Sequence, residues 1–180
     1  TTNVSPQWLV KANEMDGMVV ISEHAKRGFT DTVATARNEE TGEEQPYTIR
    51  PDLQITPVNY AVRNVKPEPI PNFKLKNNFN FLIVSQMGPR KNMERSILWW
   101  VEEFIDQKVG LVIKTNFKGS SQIDREFTSE YLRKLLSRYP ERKCTVQLLH
   151  GDLSEGQMFS LYTNKKIKAL INIAHGEGFG

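Results

Sequence analysis

At 180 residues, 38% of them apolar and 25% charged, with a formal charge of +3, the chain has the make-up of a water-soluble globular protein. So mild a charge gives no sign of a nucleic-acid partner, and no apolar run approaches the roughly 20 residues that cross a bilayer. The single cysteine, Cys144, cannot close an internal disulfide, which favours a reducing, cytoplasmic compartment.

In chain order, "MDGMVVISEHAKRGF" reads as a strand over 18–21 and a helix opening near Ser22. Residues 38–51, "NEETGEEQPYTIRP", are acidic and turn-rich, and "ITPVNYAVR" reads as a further strand. "NVKPEPIPN" reads as a proline-stiffened linker. These features divide the chain into 1–65, a linker over 66–77, and a second domain over 78–180.

The second domain is regular. "FNFLIVSQ" is a buried strand, and Asn92 then caps a helix whose apolar positions Met93, Ile97, Val101 and Phe104 recur at spacings of three and four. "VGLVIKTN" is the next strand. Residues 124–138 follow as an amphipathic helix with Phe127, Tyr131, Leu132, Leu135 and Leu136 on one side. "CTVQLLHG" is a third strand, "SEGQMFSLYT" a short helix grouping Met158, Phe159 and Tyr162, and "IKALINIA" a fourth strand. Alternating strands and helices, with strands apolar throughout, predict an α/β fold: a Rossmann-like parallel sheet with helices on both faces. Ligands of such sheets bind beyond the carboxyl ends of the strands. Here those ends are "SQMGPRKN", "KTNFKGSS", "HGDLSEG" and "HGEGFG", all polar.

Each end suggests a chemistry beside a plainer reading. In "GPRKN", Gly88 permits a tight turn, Arg90 and Lys91 supply cationic donors, and the helix start near Asn92 adds backbone N–H groups, a set suited to a diphosphate. Taken alone, the pentapeptide also reads as two solvated basic residues in an ordinary loop. "HGEGFG" lets backbone approach a polyol whose hydroxyls Glu177 accepts, or is a surface turn. "HGDLSEG" offers His150, Gly151 and Leu153 to a flat base, or is a loop capped by Ser154. His24, His150 and His175 show no close pairing, and no Asp-x-Asp pair is present, so no metal site is expected. Walker, G-x-S-x-G and G-x-G-x-x-G patterns are missing from the sequence.

Taken in order, "FLIVSQMGPRKNMERSILWWVEEF", "GDLSEGQMFSLY" and "ALINIAHGEGFG" resemble the donor-binding domain of GT-B glycosyltransferases of family 4. "MDGMVVISEHAKRGF" and "ITPVNYAVR" resemble the end of the acceptor-side domain of that family. The resemblance implies a retaining, metal-independent transferase that takes a nucleotide-diphosphate sugar as donor, uses no cofactor, and acts on a saccharide or lipid-linked acceptor. Family members are cytoplasmic or peripheral at the membrane. Carried over by position, Arg90 and Lys91 meet the donor diphosphate, with Gly88 in their loop, and Gly151 and Leu153 lie at the base. Glu177 holds the donor sugar, with Gly178, Phe179 and Gly180 beside it; Glu177, Lys91 and Arg90 are the catalytic set. Where many relatives carry a further arginine, this chain has Gln86. The family's second glutamate falls beyond Gly180, so on this reading the chain is cut at both ends. Its exposed apolar surface and open sheet edge then predict self-association. The rival reading is a non-enzymatic nucleotide-binding or interaction module on the same scaffold.

Overall fold

The computed structural model describes residues 3–176, which form two units that meet in sequence between Arg63 and Asn64. In the first, α1 (Pro6–Asn13) precedes a parallel pair, β1 (Gly17–Val20) with β4 (Gln54–Pro57), in which Met18 lies opposite Ile55. The Ser22 hydroxyl accepts the Ala25 N–H at 3.1 Å and starts α2 (Glu23–Thr30), where the sequence places a helix. Ala12, Val20, Leu53 and Ile55 make the small core. The acidic stretch carries a hairpin that no apolar pattern announces, β2 (Ala34–Arg37) antiparallel to β3 (Glu44–Tyr47). Local chemistry makes that turn: the Asn38 side chain accepts the Glu40 N–H at 2.9 Å, and Gly42 stands at φ +74°.

The second unit alternates β5 (Asn80–Val84), α3 (Met93–Glu103), β6 (Gly110–Lys114), α4 (Gln122–Leu136), β7 (Thr145–Leu149), α5 (Glu155–Tyr162) and β8 (Ile167–Leu170). All four strands are parallel, in the order β7-β6-β5-β8. Side-chain alternation sends residues to opposite faces. Phe81, Ile83, Leu111, Ile113, Val146 and Leu148 pack with α3 and α4 through Ile97, Val101, Leu132 and Leu135. Leu82, Val84, Val112 and Leu149 pack on the other face with Met158 and Leu161 of α5. Of the two adjacent tryptophans, Trp100 is buried at 4% exposure and Trp99 faces solvent at 53%.

Three expectations are corrected. Phe127 is not in the α4 core stripe; Asp124 and Thr128 take its place, and Phe127 lies outside against Phe117, ring centroids 4.8 Å apart. In α5 the buried side chain is Leu161, while Phe159 and Tyr162 are exposed. The stretch 66–77 is no free spacer, because Ile70, Phe73 and Leu75 pack on the α5 side of the sheet. Farther up the strap, the Glu68 N–H donates to the Gly156 carbonyl at 3.1 Å, and the Glu68 carboxylate accepts the Ser154 hydroxyl.

The strap explains Gly156. A Cβ there would stand 2.7 Å from the Lys66 carbonyl oxygen and 2.6 Å from the Glu68 side chain. Overpacking of this kind costs about 1–3 kcal/mol, against the roughly 0.5–1 kcal/mol that alanine gains over glycine in a helix. Gly156→Ala is therefore expected to destabilise the protein in urea denaturation. Gly119→Ala, whose Cβ meets nothing within 4 Å, serves as the control and should leave the midpoint unchanged.

Candidate functional site

The strand order reverses beside β5: the chain builds outward through β6 and β7, then returns to place β8 on the other flank. Doubly wound sheets bind their ligands at such a switch point, which lies here between β5 and its neighbour β8. The loop after β5 is anchored to the β6 side: the Met87 N–H donates to the Asn116 carbonyl at 2.8 Å, and the Gln86 side chain donates to the Phe117 carbonyl at 2.9 Å. Gln86, standing where relatives of the resembled family carry arginine, thus braces a loop.

The basic loop then turns toward β8. Gly88 does not make that turn, contrary to expectation, since its φ of 174° is extended backbone open to any residue. A 3-10 turn over Pro89–Lys91 makes it, followed by Asn92 in the left-handed region at φ 51°. Asn92 occupies the position before α3 but does not cap it with its side chain; its amide donates to the Ile173 carbonyl at 3.2 Å. The Arg90 guanidinium donates to the Gly176 carbonyl, and the Arg90 carbonyl accepts the His175 N–H at 2.9 Å. The loops after β5 and β8, separated by some eighty residues of chain, are therefore stitched together by three bonds around Arg90 and Asn92. Glu177, Gly178, Phe179 and Gly180 lie outside the described residues.

A cleft of about 570 Å³ opens between this loop and α4, lined by Met87, Gly88, Asn92, Arg95, Tyr131 and Glu94 among others. Burial and the Glu94 carboxylate, to which its hydroxyl donates at 2.5 Å, push the Tyr131 phenol up to about 12. Arg95 and Glu94 place opposite charges on this cleft, while Arg90 turns from it to the β8 loop.

Along the sheet edge, Gly151 stands at φ +97°, a conformation that strains any other residue, and with His150 it lines a groove of about 740 Å³ against the start of α4. Leu153 instead packs inward on the cluster of Leu82, Val112 and Leu161. The two residues expected at a base are thus separated in role, one on the groove and one beneath the loop. Lys114, missed by sequence reasoning, ends β6 half-buried beside a small groove with Ser85 and Met158. Burial lowers its ammonium pKa, partly offset by Asp152. A lysine closing an otherwise apolar strand was the available signal.

Asp124 is the other missed residue. Its carboxylate accepts the N–H groups of Phe117 at 3.1 Å, Lys118 at 2.7 Å and Gly119 at 3.3 Å, along with the Thr128 hydroxyl at 3.1 Å. His150 Nε2, its side chain only 2% exposed, donates to the same carboxylate at 2.8 Å. One side chain in α4 thus holds the loop after β6 and the end of β7. An acid in the first turn of a helix reads as an ordinary dipole partner, which hid this role.

No family model matches the chain, and no curated protein matches it. Among solved structures the chain is similar to OtsA in its apo form, with a TM-score of 0.54 at 10% identity, over 97% of this chain and 43% of OtsA. The chain thus spans less than half the length of OtsA. At that identity the likeness shows the fold alone, which is GT-B-like.

The Asp124 carboxyl is held well below the usual carboxylate range, chiefly by the His150 hydrogen bond and then by the amides of Lys118 and Phe117, against the opposing effect of desolvation. Its contribution to stability is fully present above that range and is lost as pH falls toward the folded-state value. Urea denaturation at stepped pH should show the wild type losing stability below about pH 4 more steeply than Asp124→Asn. Parallel curves would remove Asp124 as an ionised hub.

Proposed function

We propose that the chain is part of a retaining glycosyltransferase whose donor is a nucleotide-diphosphate sugar. The observation that carries this reading is the joining of the basic loop after β5 to the loop after β8 at the sheet's switch point. The GT-B-like fold and the order of the three resembling segments support it.

In this reading the donor diphosphate lies along residues 88–92. Arg90 and Lys91 offset the charge that grows on it as the bond to the anomeric carbon breaks, and the first N–H groups of α3 add their dipoles. The work is electrostatic and preorganised, and on this proposal it needs no metal. The base lies against the Gly151 turn, which Asp124 holds through His150. Glu177 accepts hydrogen bonds from the sugar hydroxyls, and Gly178, Phe179 and Gly180 bring backbone close to the donor. The acceptor is a saccharide or a lipid-linked saccharide, and the compartment is cytoplasmic.

Calorimetric titration with UDP, GDP and ADP tests the reading. One nucleotide should bind, and Lys91→Ala should weaken it by about tenfold, as expected for loss of one charge-assisted contact. If none of the three binds, or the bound one is indifferent to Lys91, the donor-site assignment fails. Sugar transfer that stops when a chelator is added would remove metal independence.

A further inference from the structure

The formal charge of +3 conceals how cations are distributed. Residues 70–80 and 163–176 contain five lysines, Lys74, Lys76, Lys165, Lys166 and Lys168, and neither aspartate nor glutamate. The fold brings the two segments together. The Asn80 backbone N–H donates to the Lys166 carbonyl at 2.9 Å and its side-chain amide to the same oxygen at 3.0 Å. Lys74 and Lys166 line one groove of about 400 Å³ with Phe73, Leu75 and Asn164. This groove lies at the amino ends of β5 and β8, away from the carboxyl edge that bears the candidate site.

Local geometry keeps these cations outward. Phe73 and Leu75 alternate with Lys74 and Lys76, so the apolar pair packs on the sheet while both lysines are exposed. Lys165, Lys166 and Lys168 are exposed as well. Among the described residues none of the five forms an ion pair, whereas Lys143 nearby in the same unit is paired with Asp106 at 3.3 Å. Exposed apolar side chains lie in or next to these segments in the chain: Phe79 at 45% exposure and Tyr162 at 48%.

We propose that this face docks on an anionic lipid surface. Lysines near a negatively charged leaflet add their attractions, and neighbouring aromatic side chains enter the headgroup boundary. The two segments contain no arginine, the residue whose fork reads guanine edges bidentately, so a base-reading nucleic-acid site is disfavoured. Among the described residues no helix is long and apolar enough to cross a membrane, and the contact proposed is with the membrane surface.

Sedimentation with phosphatidylcholine vesicles, and with mixed phosphatidylcholine–phosphatidylglycerol vesicles, tests the face. The chain should bind only the anionic vesicles, and added salt should release it. Replacing all five lysines by glutamine should weaken binding at least about tenfold. A control with the same charge change at the exposed Lys11, Arg27, Arg37, Lys134 and Arg138 should bind within a few-fold of wild type, as long-range charge is screened. Circular dichroism of both variants confirms that the fold is retained. No binding to anionic vesicles, or equal loss in both variants, overturns the proposal, as does tighter binding to single-stranded nucleic acid than to vesicles.

Discussion

A parallel sheet must be covered on both faces, and the rest of the second unit follows from meeting that constraint around β5. Leu82 and Ile83, neighbours in one strand, are buried on opposite faces at 1% and 3% exposure. One face takes α3 and α4; the other takes α5 and the strap of residues 66–77. Covering the second face requires the chain to cross the sheet after β7, and that crossing sets β8 against β5. The reversal that completes the core therefore also sets the loops after β5 and β8 side by side. Core packing and site geometry are one arrangement seen from two ends of the strands.

Loops at the carboxyl edge would carry unpaired backbone groups unless something held them. Asp124 and Asn92 are two side chains that do so. Asp124, anchored in a helix whose Ser121 cap is itself formed, satisfies three consecutive N–H groups and fixes His150. Asn92 uses its amide on the Ile173 carbonyl instead of capping its own helix. Such bonds fix the loop backbone in place, and on the proposed function this is the preorganisation an electrostatic site draws on.

Much of the second unit was legible because its signals are physical and local. "FLIV" and "GLVI" are continuous apolar runs, as strands buried on two faces must be, and Ser154, read as a cap, forms a capping box with Gln157. The hairpin of β2 and β3 was hidden because it has almost no buried side chain, so hydrophobic patterning had nothing to register. The prolines of residues 67–71 read as a spacer, yet Ile70, Phe73 and Leu75 interleave with polar residues and pack on the sheet. Gly88 misled because glycine permits a turn without requiring one, and the turn went to Pro89 and Asn92. The motif located the basic loop after β5, but the closure of that loop onto residues 173–176, through Arg90 and Asn92, depends on strand order, which no short motif encodes.

On the proposed function, the loops after β5 and β8 form one binding site for a nucleoside diphosphate. Hydrogen–deuterium exchange with and without the nucleotide that binds tests it most directly. Peptides covering residues 88–92 and 171–176 should slow their exchange together. Protection confined to one of the two, or appearing only at the amino ends of the strands, would contradict it.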